Sequence, residues 1–510
     1  MSNPNKQNPL WRARLYISNR MEADHQSQSS HFGAAPSKYA WLLSTSLAWG
    51  PALAAGLVLR LWMLKKLFLV TGDSLIYGEM AKNLLHGHYS RMLIDGVAVP
   101  TMIRLPGYPL YLAVCFRLFG TDNYFAPVLI QIFLELLGCI LLADFAARIV
   151  PAGSASGARR ATLCIAALCP FTASFAVAPL AESLTLFSLA LAMWAMARFA
   201  DRPAWPSALS FTVAITYAAL LRPDGALAAV AFAPAIFFAV RPRNKAAQLS
   251  ISRLLRMAVV CALLALAPFT AWTWRNWEAF HVFQPLAPRL ATDPGEDPHM
   301  GWEHWIKTWC LDWASTYDVY WNVPDDTLDM SKLPSRAFDS AEQYTETAKL
   351  AADYNSHNHD LTPQIDARFE QLAQQRIAAN PLRYYVWLPL GRLADMWLRP
   401  RVENLNIDRD WWAYSRHQTE TLFSWAYGSL NLLYLVQAAV GLLARPRFGK
   451  AILAYCVLRS ALLLTVEAPE TRYTIECFPM LFVLAGVGLY WVMVRVCLSV
   501  LKVKASDGRL

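Results

Sequence analysis

The sequence alternates long apolar runs with short polar turns, a pattern that predicts membrane-spanning helices. We assign ten spans to residues 41–69, 124–148, 161–178, 183–199, 207–221, 225–240, 254–274, 422–443, 451–466 and 477–498. Apolar residues make up 56% of the 510 positions and charged residues only 16%. We therefore predict an all-α polytopic membrane protein with about 10–12 transmembrane helices.

Two further apolar pieces do not have the pattern of a full span. Residues 105–120 would rise only about 24 Å as a helix, which is less than the hydrocarbon thickness, so we expect them to lie in the interface. Residues 384–399 are amphipathic and aromatic, and the sequence leaves open whether they lie on the membrane or cross it.

The basic residues predict the orientation. The net charge is +9, but Lys and Arg lie mainly between spans, so we attribute the charge to membrane topology and not to nucleic-acid binding. Basic loops at 151–160, 197–203, 241–245 and 444–450 fall on one side. Both termini fall there too, which predicts cytoplasmic termini. The many Ala and Arg with few Lys are typical of a GC-rich bacterial genome, so we expect a bacterial inner-membrane protein.

Four regions follow from this topology. We expect a cytoplasmic tail at 1–40, an N-terminal membrane catalytic module at 41–275 with an outer loop at 70–123, a periplasmic region at 276–420, and C-terminal membrane helices at 421–510. A helical pattern runs through 340–380 within the periplasmic region.

The outer loop contains the most unusual stretch, residues 72–109. Asp73 stands where the first span would emerge into water, an amphipathic helix pattern follows it, and the stretch closes with the turn Arg104-Leu-Pro-Gly-Tyr-Pro. A membrane helix rarely needs such charges for stability, so we predict that the active site lies here.

Other predicted outer turns also collect ionisable and aromatic residues: Glu182, Arg222, Asp224, Arg275, Arg472 and Tyr473. Carboxylates beside several arginines suit a reaction in which a hydroxyl attacks a carbon that bears a phosphate leaving group. A carboxylate removes the proton, and guanidinium forks bind the phosphate oxygens.

Six segments in order resemble the GT-C type of polytopic glycosyltransferases, the bacterial relatives of protein O-mannosyltransferases and lipid A aminoarabinose transferases. They are GDSLIYGEMAKNLLHGHY, RLPGYPLYL, PLAESL, LLRPDG, WTWRNWEAF and PETRYTIECFPML. The resemblance covers most of the membrane part and leaves 290–380 uncovered. It implies a GT-C-like helical bundle, a polyprenyl-phosphate-linked sugar as donor, a periplasmic reaction and inversion at the sugar carbon.

The resemblance also implies roles for individual residues. Asp73 matches the acid that the family uses as catalytic base, and Glu182 matches a second acid. Arg104 and Arg472 match positions that contact the donor phosphate. We add the following to the substrate-binding candidates: Tyr77, Tyr108, Arg222, Asp224, Arg275 and Tyr473. Ser74 departs from the family, which often has Asp-Glu at this place.

Each candidate has a structural alternative. Asp73 could be a helix N-cap, and Glu182 could offset a helix dipole. Arg104 could anchor to lipid headgroups, and Arg275 could belong to an aromatic belt with its neighbouring tryptophans. Arg222 and Asp224 could simply pair with each other.

No cofactor follows from the sequence, which has neither a P-loop nor a GxGxxG motif. A group of acids and histidines at 293–304 fits no defined metal spacing and is interpreted as a solvated loop. No metal ligand is assigned, and a divalent metal is left open. The partners expected are the lipid-linked donor, membrane lipids, and an acceptor that is a glycolipid, polysaccharide or protein.

Two other functions remain as alternatives to the transferase. A flippase or transporter of lipid-linked sugars would place its charges near the bilayer midplane, whereas here they fall at one face. A surface-polysaccharide polymerase or ligase would draw its site mainly from the large outer loop and not from Asp73 and the turn after it.

Overall fold

A computed structural model of the protein describes residues 40–94, 96–240 and 251–506. The first helices are α1 Ala40–Leu67, α2 Asp73–Leu85, α3 Gly107–Phe119, α4 Phe125–Ile149, α5 Ala152–Ala167, α6 Pro170–Ala176, α7 Glu182–Asp201, α8 Trp205–Leu221, α9 Leu227–Val240 and α10 Ile251–Phe280. The later ones are α11 Met300–Lys307, α12 Trp313–Asp318, α13 Ala341–Ser356, α14 Pro363–Ala379, α15 Leu388–Leu398, α16 Gln418–Leu443, α17 Gly449–Leu463 and α18 Phe478–Ser506.

The predicted fold class, an all-α polytopic membrane protein, is confirmed. Among the described residues, five helical segments are long and apolar enough to cross a membrane: Phe125–Ile149, Glu182–Asp201, Ile251–Phe280, Gln418–Leu443 and Thr471–Val496. Shorter apolar helices lie at Gly107–Phe119, Trp205–Leu221 and Pro223–Phe238. The predicted tail at 1–40 lies almost entirely outside the described residues.

The third predicted span, 161–178, differs from the structure. Helix α5 begins at Ala152, so most of the predicted basic loop at 151–160 is helical. The helix ends at Ala167, Cys169 is extended, and α6 starts at Pro170. Proline favours this restart because its fixed φ suits the first helical position and its missing N–H is not needed there.

A short β-hairpin, which we did not predict, interrupts the outer loop. Strand β1 (Ser90–Ile94) pairs antiparallel with β2 (Val97–Pro100). Helix α3 follows with 13 residues and is about 20 Å long, and the interfacial placement of 105–120 stays a prediction. Residues 384–399 form a π-helical turn, Arg383–Trp387, and then the 11-residue helix α15.

Glycines allow α18 to pack closely against two other helices. A Cβ on Gly441 of α16 would lie 1.9 Å from the Leu484 carbonyl oxygen, and one on Gly486 would lie 2.1 Å from Oγ1 of Thr162 in α5. Small residues are a usual means of close helix approach in membranes. This packing holds α18 against α16 and α5.

Three of the basic loops assigned to one side, 151–160, 197–203 and 444–450, meet at one end of the helices, while the fourth, 241–245, lies outside the described residues. Arg148 contacts Asp144 at 2.7 Å and Asp201 at 3.0 Å, and Arg447 contacts Asp201 at 2.5 Å. Arg159 also pairs with Asp144, at 3.0 Å. We call this the basic end. It supports the grouping of these loops, although it does not identify the compartment.

Residues 276–420, which we call the hydrophilic region, have a hydrophobic core of their own. Trp302, Trp305 and Trp309 are buried, and the first two contact the ring of Phe369 at 5.1 Å. The helical pattern predicted across 340–380 corresponds to α13 and α14. This part of the chain is thus a folded unit with structure of its own.

One ion pair is buried between helices. Arg60 of α1 donates to both carboxylate oxygens of Glu135 in α4, at 2.5 and 2.7 Å. Its remaining bonds go to the carbonyls of Gly56 and Ala167, at 2.9 and 2.6 Å. The Ala167 carbonyl is freed where α5 ends, so Arg60 completes the hydrogen bonding of an interrupted helix.

Candidate functional site

The site is built around Asp73, the first residue of α2. The N-cap is Gly72, with φ of 53° and no side-chain capping bond, so the N-cap alternative for Asp73 is wrong. The carboxylate instead accepts one hydrogen bond from Arg104 and one from Arg472, each at 2.9 Å. Asp73 therefore bridges two guanidinium groups from opposite ends of the sequence.

These three side chains remain reachable. Asp73, Arg104 and Arg472 have exposed side-chain fractions of 21%, 27% and 23%. Burial raises the pKa of Asp73, but Arg472 and Arg104 outweigh that effect and hold the pKa well below its usual range. The carboxylate is ionised at neutral pH and is open to a ligand.

Arg472 lies in a 3₁₀ turn, Thr471–Cys477, that leads into α18. Its guanidinium also contacts Glu470, and the Tyr473 hydroxyl donates to Glu470 at 2.5 Å. We refer to Asp73, Arg104, Glu470 and Arg472 as the Asp73 cluster.

A second group surrounds Arg222, which follows the last residue of α8. Arg222 contacts Glu182, the first residue of α7, at 3.2 Å and Glu476 at 2.7 Å. Its distance to Asp224 is 3.5 Å, so the expected pairing of these two exists but is the longest of the three contacts. Arg222 is therefore not confined to an isolated pair with Asp224.

The sequence-based prediction missed two members of this group, Arg459 and Glu476. Arg459 contacts Asp224 at 2.7 Å and Glu476 at 2.8 Å, and both Arg459 and Glu476 are fully buried. A signal was present, because Arg459 lies within an apolar segment, where a charge marks a functional candidate. We refer to Glu182, Arg222, Asp224, Arg459 and Glu476 as the Arg222 cluster.

Tyr473 connects the two clusters. The guanidinium carbons of Arg222 and Arg472 each lie 5.8 Å from the centre of its ring, within the range of cation–π attraction. Its carbonyl accepts a bond from Arg459 at 2.8 Å. The predicted candidates Asp73, Arg104, Glu182, Arg222, Asp224, Arg472 and Tyr473 thus form one continuous polar site.

Tyr77 faces both clusters from α2. It is mostly buried, packs edge-on against Tyr108 at 5.0 Å, and its hydroxyl has no hydrogen-bond partner among the described residues. Burial raises the pKa of this phenol, so it is a neutral donor. A hydroxyl of this kind is available to a ligand.

Two other candidates are not part of these clusters. The Tyr108 hydroxyl is buried and donates to the side-chain carbonyl of Gln131 at 2.6 Å. Arg275 donates to the carbonyls of Thr101 and Tyr89, both at 2.7 Å. Their described contacts are those of residues that hold the fold together.

The histidines and acids at 293–304 bind different partners. Asp293 accepts from the Met102 amide at 2.7 Å, His304 pairs with Glu370 at 2.7 Å, and Glu303 accepts from the Tyr320 hydroxyl at 3.0 Å. These contacts tie different elements together and do not form a shared metal site.

The structure places another group with metal-ligand atoms near the start of α16. The ligand atoms of Asp408, Asp410 and His417 lie within 4.8 Å of one another. The two ring nitrogens of His417 lie 3.5 Å from Asp408 and 3.2 Å from Asp410. We assign no metal to it.

The hydrophilic region reaches the site through Trp321, whose ring centre lies 6.0 Å from the Arg472 guanidinium carbon. Its neighbour Tyr320 bonds to Glu303, which joins this contact to α11. A molecule bound at Asp73 therefore lies next to this region as well as the membrane helices.

Neither a protein-family model nor a curated protein matches the sequence. Among solved structures, the chain is similar to the crystal structure of ArnT from Cupriavidus metallidurans in the apo state. The match has 12% sequence identity and a TM-score of 0.34, and it covers 86% of this chain and 76% of that chain.

Proposed function

We propose that this protein is an inverting glycosyltransferase that moves a sugar from a polyprenyl-phosphate donor to an acceptor on the periplasmic side of a bacterial inner membrane. The observation that carries the proposal is the bridge from Asp73 to Arg104 and Arg472. In this bridge an ionised carboxylate accepts hydrogen bonds from two guanidinium groups, which supports the base and the phosphate-binding residues that the transferase motifs imply.

The bridge has a direct chemical use. A donor phosphate would compete with Asp73 for the guanidinium groups, since arginine forks bind phosphate oxygens in pairs. As the two arginines turn to the phosphate, the carboxylate loses the charges that hold its pKa down and becomes a better base. Donor binding would therefore prepare Asp73 for catalysis.

Transfer then takes place in one displacement. Asp73 removes the proton of the acceptor hydroxyl, whose oxygen forms a bond to the anomeric carbon. The bond from that carbon to the phosphate oxygen breaks, and the phosphate leaves with the electron pair. Arg104 and Arg472 stabilise the charge that grows on the leaving group.

The Arg222 cluster would support this chemistry from the other side of Tyr473. Glu182 can accept hydrogen bonds from the sugar and Arg222 can donate them. Tyr77 offers a neutral hydroxyl between the two clusters. The acceptor, a glycolipid, polysaccharide or protein, would approach past Trp321, where the hydrophilic region meets the site.

The charge distribution disfavours a transporter of lipid-linked sugars. The site clusters lie where α2, α7 and α18 begin and where α8 ends, while the basic end lies at the other ends of α4 and α7. The ion pair Arg60–Glu135, which is buried between α1 and α4, makes its described hydrogen bonds within the protein and offers nothing to a substrate.

The experiment measures donor consumption in membranes that contain a labelled pool of polyprenyl-phosphate sugars, with Asp73→Asn compared with wild type. A general base typically contributes about 10²–10⁴-fold, so we expect a loss of that size at equal membrane level. Asp122→Asn is the matched control, because Asp122 lies in the same loop, is 60% exposed and pairs with Lys82.

Two results would count against the proposal. Equal consumption by Asp73→Asn and wild type would exclude Asp73 as the base. No consumption by wild type, together with movement of the lipid-linked sugar between leaflets, would establish the transporter.

A further inference from the structure

The tip of the β-hairpin carries an apolar patch that no other described part of the protein covers. Met92, Leu93, Ile94 and Val97 are exposed by 41%, 57%, 55% and 68%. An isolated two-stranded hairpin is at best marginally stable in water, and adjacent exposed apolar side chains usually mark a contact surface. The base of the hairpin, in contrast, is firmly held.

Helix α10 holds that base. Arg275 donates to the carbonyls of Tyr89 and Thr101, which flank the two strands, and the Tyr89 ring packs edge-on against Trp272 at 5.0 Å. Arg91 at the start of β1 pairs with Glu296. The hairpin therefore has a fixed position beside the last turns of α10.

Those turns mark the level of the membrane surface. Helix α10 is a candidate span that presents apolar side chains outward along its length, among them Leu255, Val259, Leu263 and Leu266. Its last turns carry Trp274 and Trp277, which are also exposed. Exposed tryptophans at the end of an apolar helix lie characteristically at the interface between lipid and water.

We propose that Met92, Leu93, Ile94 and Val97 contact lipid at the boundary of headgroups and acyl chains in the leaflet on the side of the site. These side chains on either side of the Asp95-Gly96 dipeptide are apolar, the base of the hairpin is held beside the tryptophans of α10, and none of the four has a described protein partner. Lipid is the one occupant that also covers the outward face of α10. The inference extends the proposed function, because it concerns how the site is held at the membrane and needs no substrate.

Lipid contact at the hairpin would fix how deep Arg104 lies relative to the membrane surface. After β2 ends at Pro100, the chain continues through Thr101 to Arg104, and the Tyr89 hydroxyl donates to the Arg104 carbonyl at 3.0 Å. The same segment thus connects lipid at the tip with Arg104 at the Asp73 cluster. A phosphate at the headgroup level would then meet Arg104 without deeper entry into the protein.

The test uses the full-length protein in lipid nanodiscs. A dansyl amino acid is introduced by codon suppression at Leu93, and nitroxide-labelled phospholipids serve as quenchers. The position of Leu263 in α10 is the lipid-exposed control, and Thr345 in α13, which is exposed in the hydrophilic region, is the water-exposed control.

We expect the Leu93 probe to be quenched at least half as strongly as the Leu263 probe, while the Thr345 probe is not quenched. Ile94→Asp should move the Leu93 emission toward that of the Thr345 probe, and Val97→Asp provides a second variant if the first misfolds. These results do not depend on transferase activity, so they stand or fall separately from it.

Two outcomes would overturn the proposal. An unquenched Leu93 probe with the emission of the Thr345 probe would mean that the tip faces water. A blue-shifted but unquenched probe, with photo-crosslinking from position 93 to a second copy, would mean that protein covers the tip.

Discussion

Asp73 and Arg472 are 399 residues apart in the sequence, yet a 2.9 Å hydrogen bond joins their side chains. Arg104 holds the other oxygen of the same carboxylate at 2.9 Å. The first outer loop and the start of the last helix are thus parts of one site. The proposed chemistry depends on how these groups exchange partners when a phosphate arrives.

Replacing the two arginines by lysine tests the phosphate role. Arg104→Lys and Arg472→Lys keep the charge but lose the planar fork, so we expect the KM for the lipid-linked donor to rise about tenfold or more. A smaller fall in kcat should accompany it, because the remaining cation still attracts the leaving phosphate. Steady-state kinetics in nanodiscs measure both.

Arg117→Lys is the matched control for these variants, because Arg117 is exposed on α3 and has no described role in the clusters. If the Arg104 and Arg472 variants behave like Arg117→Lys, the phosphate is bound elsewhere.

The low pKa of Asp73 predicts the shape of the acid limb of the reaction. The pKa of the free enzyme's base appears in kcat/KM, and the ion pairs hold the pKa of Asp73 below its ordinary value of 3.8. We therefore expect that protonation of Asp73 does not lower kcat/KM for the donor at any pH above 3.8. Arg472→Ala, which removes one cation, should move the limb to higher pH, and an unchanged limb would separate Asp73 from proton transfer.

Glu476 and Arg459 provide a test of the Arg222 cluster. Glu476 is fully buried between Arg222 and Arg459, so Glu476→Gln leaves two buried cations with less compensation. Breaking a buried ion pair costs about 3–5 kcal/mol, and we expect a clear fall in Tm. Glu342→Gln, at an exposed position of α13, should leave Tm unchanged.

A double-mutant cycle with Arg459→Gln should give a coupling energy of about 0.5–3 kcal/mol, because the two side chains are in contact. Additive effects of the two substitutions would show that the described contact contributes no stability.

Glu303 predicts a pH dependence in the hydrophilic region. Burial, with a contribution from Glu467, raises the pKa of Glu303 to about 7 from an ordinary value of 4.5. Between these values the unfolded chain releases a proton that the folded chain keeps, so the stability of this region falls as pH rises through the window. Hydrogen exchange of α11 to α14 at pH 5 and pH 8 measures this change.

In Glu303→Gln we expect the difference between pH 5 and pH 8 to shrink, since the group that titrates is gone. The same difference in wild type and variant would assign the pH dependence to other residues.

The hairpin is an element that the sequence-based prediction missed. The dipeptide at 95–96 is Asp-Gly, which is the usual signal of a tight hairpin turn, and apolar residues flank it on both sides. We assigned this stretch no strand. The two strands are short, and contacts with Arg275 far along the chain hold their base.

The sequence by itself predicted most of the helices and most of the residues that meet in the candidate site. Apolar runs locate helices because the hydrophobic pattern is local, and Asp73, Arg104, Glu182, Arg222 and Arg472 stood out because charges are costly beside a bilayer.

Only the tertiary structure decided which of these charges meet. Helix packing brings the start of α18 to the start of α2, places the fully buried Arg459 and Glu476 behind Arg222, and leaves Arg275 on backbone carbonyls. Local sequence cannot specify such pairings, because each depends on the side chains of several helices that are distant along the chain.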